Sequence, residues 1–459
     1  MRGSAGIQKQ RFGRLPSRLE FCALAVSSLA AAGLAPAMRY SRAFGDEAAP
    51  WQDNGIQDSS GLQDDGNISL ILATDIHYLS PELIAAGKLA DVGVISSGTM
   101  LTSYTDAIAD AMVDAVIGQH PHAFIMPGDL TYNAEKESHR DFLPKLECIA
   151  AAGIPVLVIP GNHDALTRTH DADAQHFTPA EWFTHYEAFG LDTPPTLSTD
   201  QDSASYMWEA SPRLRLLFMD VNAVPQMGVL PASTLKWAED QLKNATQAGA
   251  RVVGFSHQNL LGSGGYNGLM IDNAHELEAL YEKYHVIGNF SGHMHGQSIM
   301  ATNSGLFDVI TASLAIYPHR FATIDIAFDG AGQSGSVTYM THNLDVSAWA
   351  QKTGSANPDL LDFVQYGRNF TYRVQYNTMY SMLLGLGASQ TDAHELSDYF
   401  AELSCAYAEG TQDQIEPRQD LLDRFLAVVG DSTAARFAYA FDPTIMRHAD
   451  EMYTTFGEI

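Results

Sequence analysis

Five short stretches of this 459-residue chain carry side chains of one chemical kind. They are Asp75-x-His77, Gly128-Asp129, Gly161-Asn162-His163-Asp164, His257, and Gly292-His293-x-His295. Carboxylate, imidazole and amide groups together make a mixed oxygen and nitrogen ligand set, which suits divalent transition metals such as Mn, Fe or Zn. Seven residues, Asp75, His77, Asp129, Asn162, His257, His293 and His295, favour two adjacent ions, with Asp129 offering an oxygen to each. Two ions roughly 3.5–4 Å apart activate a bridging water and hold phosphoryl oxygens during in-line attack. His163 stands beside Asn162 and is too constrained to point with it. It is therefore the candidate to protonate a leaving oxygen or stabilise developing charge. Asp164 is the candidate to orient His163.

Those residues need elements to position them. Apolar runs at 68–73, 123–126 and 155–159 read as buried strands. The patterns at 102–118 and 135–152 read as helices between them. Alternate residues of an extended chain point the same way, so Asp75 and His77 are expected to face one point, as are His293 and His295. Strand, helix, strand, helix, strand at this spacing predicts an α/β layered domain. Further strands are expected at 213–219, 251–255 and 285–289, with closely spaced antiparallel strands at 297–300, 307–310, 321–328 and 336–339. Catalytic organisation thus spans residues 68–343. Beyond it, residues 346–459 read as a helical domain, with Leu396, Tyr399, Phe400, Leu403 and Tyr407 forming a core-facing stripe.

The bulk properties narrow the function. Net charge is −28, and the basic segment to residue 43 contributes about +6, which leaves the remainder near −34. Such an acidic body does not suit nucleic acid, which needs clustered Lys and Arg. Bound metal ions can still supply positive charge for a small phosphoester. At the N-terminus, Arg11, Arg14 and Arg18 precede an apolar stretch and Ala35-Pro36-Ala37, the pattern of a secretory signal peptide over residues 1–43. The alternative is an uncleaved anchor, the one membrane association the sequence suggests. Either form implies a secreted or extracytoplasmic body. Residues 44–67 read as a flexible linker. Cys148 and Cys405 are expected as small buried apolar residues rather than a disulfide.

The series DIH, GDL, GNHD, SHQN and GHMH resembles the calcineurin-like metallophosphoesterase superfamily. The resemblance covers residues 68–343 and implies a two-sheet β-sandwich flanked by helices, with a dinuclear site at the strand ends. It implies one ion on Asp75, His77, Asp129 and His295, and the other on Asp129, Asn162, His257 and His293. His163 matches the family's catalytic histidine. Cyclic nucleotide phosphodiesterase is the closest named resemblance, though monoesters and diesters both stay open. The segment Gly128-Asp129-Leu130-Thr131-Tyr132 also looks like a purple acid phosphatase motif, in which the tyrosine binds iron. With His77 present, Tyr132 is expected to pack instead.

Two other segments face the same question. The loop 167–176, with His170, Asp171, Asp173 and His176, is either a substrate-facing or extra metal-binding loop or a solvated one. Arg320 is either near the substrate phosphate or on a surface turn. A non-catalytic alternative to the hydrolase is a metal-binding scaffold that uses the helical domain for a partner.

Overall fold

The computed structural model describes residues 67–86, 98–165, 175–262, 270–330, 332–430, 441 and 449–457. The expected signal peptide, all of the linker but Asn67, and most of the 167–176 loop lie outside the described residues.

The chain begins as a βαβαβ run: β1 (Ile68–Leu72), the short α1 (Pro81–Ala85), α2 (Thr105–Gln119), β2 (Ala123–Met126), α3 (Lys136–Ala151) and β3 (Val156–Val158). β1, β2 and β3 are parallel, so their C-terminal ends share one edge. Then come α4 (Pro179–Tyr186), β4 (Thr196–Thr199), β5 (Tyr206–Ser211), β6 (Leu214–Met219), α5 (Ala232–Ala248), β7 (Arg251–Ser256), α6 (Ala274–Lys283) and β8 (Gly288–Ser291). β6, β7 and β8 are again parallel. Short strands β9 (Ser298–Ala301) and β10 (Phe307–Ile310) follow, then the long hairpin β11 (Arg320–Phe328) and β12 (Gly335–Asn343).

Two sheets result. One runs β13-β12-β11-β1-β2-β3 and the other β4-β5-β6-β7-β8-β10-β9. Their facing sides share a core that takes Leu70, Leu72, Ile125 and Ile324 from the first sheet and Leu216, Phe218, Val253 and Phe255 from the second. Aromatic rings step across this core, with Phe218 on Phe255 at 4.9 Å and Phe255 on Phe290 at 5.7 Å between centroids. Burying each ring contributes about 1.5–3 kcal/mol, and the stack fixes β6, β7 and β8 relative to one another. Helices α2 and α3 cover the outer face of the first sheet, and α5 and α6 that of the second. The architecture is the expected two-sheet α/β sandwich flanked by helices. The short strands β4 and β5 were not among those expected.

The helical C-terminal region is present: α7 (Val346–Lys352), α8 (Pro358–Leu361), α9 (Phe363–Gly385), α10 (Gln390–Glu409) and α11 (Gln419–Val429). It is less separate than the sequence suggested. Val346, Ala350, Leu360 and Phe363 join the core of the first sheet's outer face, while α9 to α11 form a cluster of their own. The expectation of helix through residue 459 fails at the end, where β13 (Glu451–Phe456) pairs antiparallel with β12. Its Met452 and Phe456 point into the inter-sheet core, which is the burial that makes this segment a strand. No described helix is long and apolar enough to cross a membrane.

Candidate metal centre

Parallel strands place their C-terminal ends at one edge, the usual position for ligand-binding loops in α/β sheets. Asp75 and His77 follow β1, Asp129 follows β2, Asn162 follows β3, His257 follows β7, and His293 and His295 follow β8. The site thus draws three loops from the first sheet and two from the second.

Within it the ligand atoms converge. Asp75, His77, Asp129 and His295 bring one atom each to within 4.8 Å of one another, and Asp129, His257 and His293 do the same. The Nε2 atoms of His77 and His295 are 2.9 Å apart, and His295 Nε2 is 3.2 Å from Asp75 Oδ1. Asp129 Oδ2 lies 3.5 Å from His77 Nε2 and 3.2 Å from His257 Nε2, so one oxygen belongs to both groups. Asn162 Oδ1 is 3.0 Å from the same His257 nitrogen. All seven predicted ligand residues are therefore in one place.

The local backbone differs from the extended geometry expected. Asp75, His77, Asp129, His293 and His295 all have left-handed φ, between 45° and 65°. Such a conformation costs a non-glycine residue about 1–3 kcal/mol and persists where surrounding structure over-determines it. Here the supports are tertiary hydrogen bonds. Asp75 N–H donates to Gly128 O at 3.2 Å and His77 N–H to Asp129 O at 3.0 Å, extending the β1–β2 pairing into the loops. His293 N–H donates to the Asp75 carboxylate, at 3.0 Å to Oδ2. The turns, not strand alternation, aim these side chains. Gly161 completes the packing, because a Cβ there would sit 2.1 Å from Asp129 Oδ1.

Electrostatics divides the histidines. Burial pushes His77 and His293 down to about 3, so both rings are neutral at ordinary pH. Burial also works against charge on His257, but the Asp129 carboxylate prevails and raises it to about 9. Burial opposes the charge on Asp129 and Asp75 too; His257 and His163 hold Asp129 well below the usual range, and His295 holds Asp75 down. Among the described residues the ion-pair partners of these two buried carboxylates are histidines alone. Two buried acids ringed by imidazole nitrogens form a donor set whose composition fits two transition-metal ions.

His163 lies beside the cluster, its ring 4.9 Å from that of His77. Its backbone N–H donates to Asp129 Oδ1 at 2.9 Å. Its Nδ1 sits 2.7 Å from both Tyr132 O and Asn133 Oδ1, two acceptors, so the proton resides on Nδ1 and Nε2 is the working atom. Asp164 does not orient this ring. It accepts hydrogen bonds from the N–H groups of Gly161, Leu130 and Thr131 at 2.8, 3.1 and 2.8 Å, clamping two ligand loops together. Asn133 was missed, although a polar residue one turn beyond Asp129 in a loop was a visible signal.

Other expectations resolve individually. Tyr132 packs with Leu79 and Leu83 as a buried ring. Arg320 is neither at the phosphate nor on a surface turn. It is buried, bonds Thr341 Oγ1 at 2.7 Å and Ala408 O at 3.2 Å, and pairs with Asp450, so it ties the C-terminal strand and α10 to β11. Of the loop histidines, His176 pairs its backbone with Glu135, while His170, Asp171 and Asp173 lie outside the described residues. Cys405 is buried as expected, but Cys148 is exposed, since α3 turns that position to solvent.

Comparison with known proteins adds a family. The family model described as calcineurin-like phosphoesterase matches residues 68–297, half of the chain. A second, described as the C-terminal domain of cyclic nucleotide phosphodiesterase, matches residues 345–439. No curated protein matches. Among solved structures the chain is similar to a dimetal phosphatase from Danio rerio, with 14% identity and a TM-score of 0.44, over 60% of this chain and 96% of that one. It is also similar to the purple acid phosphatase PPD1 from yellow lupin seeds, with 13% identity and a TM-score of 0.39, over 60% and 51% of the two chains.

Proposed function

The chain belongs to the calcineurin-like phosphoesterase family, and on that premise we propose that it is a metal-dependent hydrolase of small phosphoesters. The carrying observation is Asp129 Oδ2, within 3.5 Å of His77 Nε2 and 3.2 Å of His257 Nε2, at the shared corner of two ligand groups. Asp75, His77, Asp129 and His295 would hold one ion, and Asp129, Asn162, His257 and His293 the other. Two bound divalent ions supply a nucleophilic water at neutral pH and charge stabilisation for the phosphoryl group.

The protein's own residues do the rest. Asp129 and Asp75 provide negative charge that recruits cations into a buried corner. His257 keeps Nε2 toward the cluster because its Nδ1–H donates to Pro127 O at 2.9 Å. His163 presents Nε2 beside the cluster and, when protonated, donates that proton to the ester oxygen as it leaves. The match of residues 345–439 to a cyclic nucleotide phosphodiesterase C-terminal domain supports diesters, cyclic nucleotides among them, over monoesters. The N-terminal pattern of residues 1–43 supports an extracytoplasmic location, and N-terminal sequencing of mature protein recovered outside the cytoplasm tests it.

Metal analysis coupled to a substrate panel tests the activity. Protein loaded with Mn²⁺ should cleave bis(p-nitrophenyl) phosphate, p-nitrophenyl phosphate or 3′,5′-cyclic AMP. Metal-free protein that stays folded and inert toward all three would favour a scaffold instead.

A further inference from the structure

A metal-binding histidine is aimed by its second ring nitrogen, whose N–H meets a carbonyl, a carboxylate or a water. His257 has such a hold, its Nδ1 lying 2.9 Å from Pro127 O. His295 turns Nε2 toward the cluster, 3.2 Å from Asp75 Oδ1 and 2.9 Å from His77 Nε2, which leaves Nδ1 as its other ring nitrogen. Among the described residues no acceptor meets that atom.

His295 lines a small pocket together with two residues of helix α9, Thr371 and Gln375. The buried stripe of this helix is apolar at its ends, with Phe363 in the core of the first sheet and Met379 and Leu383 in the helical cluster. Its middle is polar. Thr371 and Gln375 are 3% and 2% exposed, yet Thr371 Oγ1 and Gln375 Oε1 have no partner within the protein. Buried polar atoms are seldom left so, because an unmade hydrogen bond costs more than a made one returns. Helix α9 comes this close because position 367 is glycine, where a Cβ would sit 3.1 Å from the Tyr317 ring and 3.2 Å from His319 Nε2. The pocket measures about 40 Å³, room for a water or two and nothing larger. A buried water needs roughly 10–15 Å³ and two to four polar partners. Three residues with an unpaired polar atom around one such pocket meet both requirements.

Resting on the dinuclear reading above, we propose that a water in this pocket accepts from His295 Nδ1–H and donates its two hydrogens to Gln375 Oε1 and Thr371 Oγ1. Gln375 and Thr371 are then positioning residues for His295, and through it for the ion held by Asp75, His77, Asp129 and His295. The helical region thereby governs the affinity of a metal site whose ligands all come from elsewhere. Tyr407 of α10 supports the same loop, donating to Gln297 O at 3.4 Å.

Mn²⁺ titration against a competing chelator tests this in the full-length protein, with Thr371→Val and Gln375→Leu as loss variants and Thr371→Ser as the conservative one. Each loss variant should weaken about tenfold the ion that Asp75→Asn also weakens, and leave the other ion within about twofold. Thr371→Ser keeps the hydroxyl and should bind like wild type. A crystal structure of the loaded wild type should show a water within hydrogen-bond distance of all three atoms. A dry pocket overturns the proposal, and its signature is a raised melting temperature in Thr371→Val with both affinities unchanged, since valine only removes an unpaired oxygen. Equal weakening of both ions overturns it too, as does a water that is present while the affinities stay the same. Thr371→Val is isosteric, so it decides the matter even where Gln375→Leu does not fold. A wild type that binds two ions, with variants that do the same equally tightly, removes this proposal alone. A wild type that binds no Mn²⁺ removes the dinuclear reading, and the proposal with it.

Discussion

The two groups of side chains that meet at Asp129 are not equivalent. The first, Asp75, His77, Asp129 and His295, holds two buried carboxylates. The second shares Asp129 and adds His257, His293 and the neutral amide of Asn162. The first group therefore concentrates negative charge, and its His77 is already deprotonated, pushed down to about 3 by burial. In the second, Asp129 holds a proton on His257, whose pKa is raised to about 9. On the proposed dinuclear reading, the difference teaches that the first group would retain an ion, while the second would have to give up a proton to take one. His163 adjoins the first group through the His77 ring, 4.9 Å away, and the shared Asp129, so exchange and proton chemistry fall on different sides.

The shared residue gives the largest expected effect. Asp129→Asn keeps an Oδ1 that can accept the His163 N–H, so the loop holds its shape. It removes the charge common to both groups. Metal content should fall from two ions to fewer than one by elemental analysis, with activity down by at least about a thousandfold. Retention of both ions would show that the two groups are independent rather than joined at Asp129.

His163→Ala should leave both ions in place and reduce turnover by about 10²- to 10⁴-fold for an ester with a poorly acidic leaving alcohol. The loss should shrink for a p-nitrophenyl ester, whose leaving group needs little protonation. An equal loss on both esters would remove His163 as the proton donor and assign it to charge stabilisation alone.

Much of this site was legible in the sequence, because ligand chemistry constrains residue type and the strand-end loops keep the residues in a recognisable order. All seven residues that converge there could be named that way. What was not legible was how they are aimed. Aspartate and histidine at 75, 77, 129, 293 and 295 give no local sign of a left-handed backbone, which tertiary hydrogen bonds such as His77 N–H to Asp129 O impose. Asp164 looked like a partner for its neighbour His163, whereas its carboxylate faces three backbone N–H groups on two loops. In the fold, β1, β2 and β7 were clear from continuous apolar runs. β13 was missed because only Met452 and Phe456 of its six residues reach the core, a two-residue signal after a helical region.

A matched pair sharpens the asymmetry further. Asp75→Asn should weaken the first ion substantially, since it deletes one of only two carboxylates in that group. Asn162→Ala removes a neutral ligand and should weaken the second ion about 10- to 100-fold, with activity recovered by excess Mn²⁺. The reverse ranking in a chelator competition would invert the assignment of tight and exchangeable sides.

The smallest expected effect is the dependence of loading on pH. Without metal, His257 carries a proton below about pH 9, and an ion can bind its Nε2 only after that proton leaves. Its Nδ1 proton is held by Pro127 O and stays. Affinity at the second group should therefore rise with pH, by up to about tenfold per unit below pH 9, and level off above it. His77 and His293 contribute no such slope, because both are neutral down to about pH 3. Calorimetric titration in buffers of different ionisation enthalpy at pH 7.5 should find close to one proton released as the second ion binds. Release of none would mean that Asp129 does not hold His257 protonated, and the electrostatic distinction between the two groups would then be lost.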